Sequence, residues 1–223
     1  MQRYHYLAQC RHDVDPFNCF RDMEHKLQDR MKDAEVRHLS LFHDGSKLFL
    51  YYESSLKDAD PHTLFECCES GLEQWPGADT PRRWVPMMDI FHYQQPVSAE
   101  HWHRSQLSPK PYARIARLKP EKVASYTFYH YQYQEERPGD GDKYGMIALY
   151  ENLLFFYSES PDTIEPPPYT GKLDTANTPS DWQAAMDPHF IMWDQDAGKS
   201  LAWLEIPLLL QLKGEAYGEE HVR

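Results

Sequence analysis

Apolar residues recur along this chain in two rhythms, one of period two and one of helical period. The order of the rhythms occurs twice. In the first half, Tyr4–Cys10 alternates as a strand. Asp15 and Pro16 then supply an N-cap and a first helical position. Phe17, Phe20, Met23, Leu27 and Met31 follow at helical spacing, so one helix is expected there. Val36–Phe42 and Leu48–Ser55 read as strands joined at Asp44-Gly45, a hairpin signal. After Pro61 a helix is expected, with Leu64, Phe65, Cys68 and Leu72 on one face. A short helical piece is expected over Arg82–Phe91, with Pro86 bending it or opening it. Ala99–Leu107 alternates as a closing strand.

The second half repeats this order. Tyr112–Leu118 reads as a strand, and Lys119-Pro120-Glu121 starts a helix. Tyr144–Tyr150 and Leu153–Ser160 form a hairpin around Glu151-Asn152, Asp181–Phe190 a short helix, and Leu201–Leu212 the last strand. Pro16 corresponds to Pro120, Trp84 to Trp182, Met88 to Met186 and Trp102 to Trp203. The fold class is therefore α+β, two ferredoxin-like β-α-β-β-α-β units, residues 1–108 and 109–223. Such a sheet carries helices on one face only and must cover the other. Two sheets packed face to face as an intramolecular dimeric α/β barrel would do so. Between Ser160 and Asp181 the second unit departs from the first, because Pro166, Pro167 and Pro168 forbid a helix. A long loop replaces it. Ser105–Pro111 is the expected junction, and the polar tail Lys213–Arg223 is expected to fray.

Charge narrows the partners. The chain has 35 acidic and 23 basic residues, a formal net charge of -12, and no basic run. That disfavours nucleic acid and anionic membrane surfaces as partners. No apolar run is long enough to span a bilayer, and the first residues lack the apolar segment of a secretory signal. Cys10, Cys19, Cys67 and Cys68 make no C-x-x-C pair, so zinc spacing is absent and reduced thiols in a cytoplasmic protein are expected. A small molecule remains the expected partner, and further homodimerisation stays open.

Candidate chemistry concentrates in Val123–Arg137. The preceding Pro120 favours a helix, while the β-branched and aromatic content leaves a strand as the alternative. On a helix, Tyr126 and His130 share a face one turn apart. Ala124, Phe128 and Tyr131 form another stripe, expected to face the core, and Tyr129 lies between. Pro-acidic helix start followed by Y-x-x-x-H, in Leu118–His130, resembles the L-rhamnose mutarotase family. So do the later segments Arg82–Asp89 and Asp181–Asp187, each with a tryptophan followed by a methionine four residues on. The resemblance covers most of both halves. It implies a dimeric α/β barrel, here fused in one chain, that interconverts sugar anomers without a cofactor or metal. On that resemblance His130 is the catalytic acid/base with Tyr126 beside it, and Trp182 lines a monosaccharide pocket. Tyr129 and Arg114 complete the substrate-binding candidates. Histidine suits such proton exchange because its ordinary pKa lies near working pH.

The first half departs from this pattern. The positions matching Tyr126 and His130 hold Asp22 and Lys26, or Arg21 and His25 if shifted by one. That unit is expected to lack the site. Two other readings stand beside the isomerase: a barrel that binds a small molecule without turning it over, and an oxygenase, as related barrels host. Structural roles are the alternative for His130 and Trp182. His101 with His103 is too small a set for a metal, and Gly139–Asp142 is expected to be a turn.

Overall fold

The computed structural model describes residues 1–20, 23–77, 81–104, 109–137, 139–194 and 200–214. Its elements in chain order begin with β1 (Gln2–Gln9), α1 (Pro16–Phe20), α2 (Glu24–Asp33), β2 (Val36–Asp44) and β3 (Lys47–Ser54). Next come α3 (Pro61–Phe65), continued by a 3-10 turn over Glu66–Gly71, β4 (Val85–Pro86), β5 (Met88–His92) and β6 (Lys110–Leu118). A 3-10 turn at Pro120–Lys122 leads into α4 (Val123–Glu136), followed by β7 (Gly141–Asp142), β8 (Met146–Tyr150), β9 (Leu153–Ser160) and β10 (Ile164–Glu165). The rest are α5 (Trp182–Met186), β11 (Phe190–Ile191), β12 (Trp193–Asp194), β13 (Ser200–Leu201), β14 (Trp203–Ile206) and β15 (Leu208–Lys213).

These elements form two compact units. One is Met1–Pro86 with the segment from Leu208 onward, and the other is Met87–Pro207. The sheet of unit 1 runs β15-β2-β3-β1-β4, and that of unit 2 runs β11-β6-β9-β8-β5, with β14 also paired to β6. Without the outer β15 and β5, each sheet has the fourth-first-third-second order of a ferredoxin-like unit. The protein is α+β, with antiparallel sheets. Its repeat is visible in the hairpins as well. Each has a two-residue loop whose first residue has positive φ, Gly45 at 55° and Glu151 at 54°. Among the described residues, no helix is long and apolar enough to cross a membrane.

In unit 1, Phe20, Leu27, Met31, Leu64 and Phe65 come from the helices. They pack on Leu39, Leu41, Leu48, Leu50 and Tyr52 of the sheet. Full burial of such a side chain stabilises by roughly 1.5–3 kcal/mol. Trp84 closes this core, 1% exposed and 4.8 Å from the Phe65 ring. The equivalent cluster of unit 2 joins Tyr126 and Met186 to Ala116, Leu118, Ile147, Leu149 and Leu154.

Several expectations are corrected. The helix over Phe17–Met31 is two segments, α1 and α2, and Arg21 and Asp22 lie outside the described residues. Val85–Pro86 and Met88–His92 are strands rather than a helical piece. Proline biases its predecessor toward the extended region and gives no N–H to a helix. Ala99–Trp102 is a turn, held by Trp102 N–H donating to the Ser98 carbonyl at 3.1 Å. Residues 105–107 of that expected strand lie outside the described residues, as do residues 215–223 of the tail. The final run divides at Pro207, with β14 in unit 2 and β15 in unit 1. The compact units therefore do not divide at 108/109, because β5 pairs with β8 and β15 with β2. The stripe expected to face the core on α4 is also displaced. Phe128 is 60% exposed and Tyr131 42%, while Tyr126 and His130 are buried.

Candidate functional site

Unit 2 holds a cavity of about 350 Å³ between its sheet and the helices α4 and α5. Helix geometry sets its upper wall. Tyr126, His130 and Tyr133 fall on one face of α4 at i, i+4 and i+7. Trp182 enters as the first residue of α5, which Asp181 caps by accepting from Ala184 N–H at 3.0 Å. The sheet contributes Arg114, Ile147, Phe156 and Trp203, with Phe91 from the added strand.

Three rings surround His130, Tyr126 tilted against it and Trp182 and Phe91 edge to face. Its ring centroid lies 4.0 Å from Tyr126, 5.0 Å from Trp182 and 5.4 Å from Phe91. Nδ1 lies 2.9 Å from the Tyr126 carbonyl, which can only accept, so Nδ1 carries the proton. Nε2 then holds a lone pair. Among the described residues it has no hydrogen-bond partner, on a side chain that lines the cavity. Burial pushes His130 down to about 4; the Tyr126 carbonyl raises it in part and His189 lowers it further. Burial also raises the Tyr126 hydroxyl above the ordinary tyrosine range. Both side chains are therefore uncharged at neutral pH.

That shift carries a consequence for folding. Between an unfolded value of 6.5 and a folded value of about 4, unfolded His130 takes up a proton and the native residue does not. The stability is present above 6.5 and is lost as pH falls toward 4. At about 1.4 kcal/mol per unit, the loss reaches about 3 kcal/mol. Denaturant titrations at pH 7, 5.5 and 4 should show this loss in the wild type and a smaller one in His130→Gln.

Arg114 is the cavity's cation. Its guanidinium lies 4.6 Å from the Phe156 ring centre and 5.9 Å from that of Trp203. Its buried Nε has no hydrogen-bond partner among the described residues. A buried donor of this kind costs free energy until something accepts from it.

Four of the five expected site residues thus meet in one cavity: His130, Tyr126, Trp182 and Arg114. Tyr129 does not line it. One residue before His130, it is turned about 100° round the helix and packs on His189, 5.9 Å away. In unit 1, His25 and Lys26 are exposed. Sequence reasoning missed Phe91, Tyr133, Phe156 and Trp203. Tyr133 was within reach, lying three residues after His130; Phe91 was hidden by the helical reading of its strand.

No family model and no curated protein matches this sequence. Two solved structures resemble the chain in its course. One is described as a "putative monooxygenase" from Lactobacillus acidophilus NCFM, with TM-score 0.42 and 7% identity over 96% of this chain and 97% of that one. The other, from Fusobacterium nucleatum subsp. nucleatum, carries the same description, with TM-score 0.40 and 9% identity over 95% and 93%.

The long loop before α5 is fastened rather than free. The Glu136 carboxylate accepts from Asn177 N–H at 2.9 Å, Thr178 N–H at 2.7 Å and the Thr175 hydroxyl at 2.5 Å. Those bonds hold its carboxyl below the usual range. Leu173 N–H donates to the Glu135 carbonyl at 3.2 Å. Gly171 passes so close to that carbonyl that a Cβ would sit 1.8 Å from it. The loop thereby ties the C-terminal end of α4 to the start of α5, the two elements that carry His130 and Trp182.

Proposed function

We propose that unit 2 is an enzyme site for a flat, largely apolar small molecule bearing one acidic hydroxyl or carboxyl group. His130 is the general base and Arg114 the counter-ion. The carrying observation is the His130 imidazole, neutral, with Nδ1 committed to a backbone carbonyl and Nε2 free in an aromatic wall. A base held this low takes a proton from a hydroxyarene or an enol only where the oxyanion is stabilised as it forms. Arg114 offers the resulting oxyanion a charge-assisted hydrogen bond in a site of low dielectric. Trp182, Phe91 and Trp203 present faces and edges to a planar ring. The reaction class assigned first is oxygenase-type: the substrate anion passes one electron to dioxygen, the two radicals couple to a substrate peroxide, and the proton held by His130 completes the hydroperoxide.

Anomer exchange on a sugar is the second reading. Tyr126, His130 and Trp182 sharing a wall favours it, as the mutarotase resemblance implies. The ranking follows from the lining. Each sugar hydroxyl buried without a partner costs about 1–3 kcal/mol, and most of the wall is aromatic or aliphatic.

Calorimetry separates the readings. Hydroxyarene carboxylates should bind, and Arg114→Met should weaken them by about ten- to a hundred-fold, the loss of a charged hydrogen bond. Oxygen should then be consumed in air. Binding of monosaccharides alone, with anomer exchange faster than in buffer, would reverse the ranking. Binding without any turnover would leave a binding module and refute the enzyme.

A further inference from the structure

Unit 1 has a separate open cleft of about 410 Å³, and three of the four cysteines meet there. Local structure brings them together. Asp15 accepts from Phe17 N–H at 3.0 Å and from the Asn18 amide at 3.3 Å, which fixes α1 and with it Cys19. The 3-10 turn Glu66–Gly71 presents Cys67 and Cys68, whose sulfurs are 3.6 Å apart. The Cys19 thiol lies 3.7 Å from the Cys68 carbonyl oxygen. Gly71 leaves room for it, since a Cβ there would lie 2.9 Å from Cys19 Sγ. Cys19 and Cys67 are half-buried, Cys68 is 2% exposed, and Cys10 is fully buried. Among the described residues, no group of three or more His, Cys, Asp and Glu has an arrangement fit for a metal ion.

We propose that Cys19 is a hydroperoxide-reactive thiol and that Cys68 resolves it to a Cys19–Cys68 disulfide. Solvent access selects Cys19 over Cys10. Cys19 lies against Cys68, and this neighbour holds it below the ordinary cysteine range while Cys68 itself is raised; burial pushes Cys10 up to about 12. A lowered thiol pKa raises the share of thiolate, the reactive form. The Cys19 thiolate attacks the terminal oxygen of the hydroperoxide, the O–O bond breaks, and the alcohol leaves with a proton. Cys19 is then a sulfenic acid. The Cys68 sulfur attacks the Cys19 sulfur, and hydroxide leaves and takes the Cys68 proton as water. Two thiols and one hydroperoxide give one disulfide, one alcohol and one water. No residue of the unit 2 cavity takes part.

The test uses the full chain, treated with equimolar hydrogen peroxide, alkylated, digested and mapped by mass spectrometry. A Cys19–Cys68 cross-linked peptide, reversible by dithiothreitol, is expected, with Cys10 alkylated only after denaturation. In Cys68→Ser the cross-link should vanish, and Cys19 should accumulate as a sulfenic acid trapped by dimedone. A free Cys19 thiol after peroxide, or a Cys19–Cys67 or Cys67–Cys68 link in its place, would overturn the proposal. If Cys68→Ser does not fold, the cross-link map of the wild type alone decides.

Discussion

His130→Gln lowers turnover of a hydroxyarene acid by about a hundred-fold or more, with little change in its binding. Glutamine keeps roughly the volume and a donor near the Tyr126 carbonyl, so the aromatic wall stays closed. It has no basic lone pair, so the proton at the substrate oxygen has no acceptor. Calorimetry and steady-state kinetics on the same substrate check both halves of this expectation. An unchanged kcat would remove His130 from the chemistry, whereas lost binding with unchanged kcat would make it a packing residue. The pH profile gives a second readout. Because His130 stays neutral down to about 4, the acid limb of kcat/KM should fall near that value and not near 6.5. A limb near 6.5 would mean that the base lies elsewhere.

Removing Arg104 should cost unit 2 about as much as emptying a buried aromatic from its core. Arg104 and Glu159 form an ion pair whose side chains are 5% and 4% exposed. The guanidinium donates from Nε at 2.8 and 2.9 Å and from Nη2 at 2.6 Å, while the Tyr157 hydroxyl donates to the same carboxylate at 2.9 Å. Arg104 also stacks over the Tyr144 ring at 4.3 Å. Arg104→Ala leaves the Glu159 charge buried without its counter-charge, a loss of roughly 3–5 kcal/mol. Arg104→Met with Glu159→Gln should recover much of that loss, since the buried charge is then gone. Urea unfolding of the three proteins measures the difference. Equal losses in the single and double variants would mean that packing, and not the uncompensated charge, sets the cost.

Much of the fold was legible because each repeat carries its own punctuation. Pro16 and Pro120 mark helix starts, and two-residue loops mark hairpins. What failed did so for tertiary reasons. Periodicity could not separate a short helix from a short strand over Arg82–Phe91, where Pro86 decided for extension. The polarity of Phe128 and Tyr131 was misjudged because both stripes of α4 are aromatic, and only the sheet shows which one it covers. In the cavity, the shared face of Tyr126 and His130 was legible through one helical spacing. Phe156 and Trp203 were not, because a pocket wall on a sheet depends on which strands are neighbours.

The pairing of β5 with β8 and of β15 with β2 has a consequence for how this protein is inherited. The length of sequence that repeats and the length that folds together are offset by one strand. A gene fragment ending at the repeat boundary would encode a strand with no sheet to join and a sheet with one edge left open. Bare edges of that kind recruit foreign strands. At both crossing points, Pro86 before Met87 and Pro207 before Leu208, stands a residue with no N–H to give to either ladder. Each half of the sequence thus supplies a strand to the other's sheet, so neither half could be removed or expressed alone without leaving an edge open.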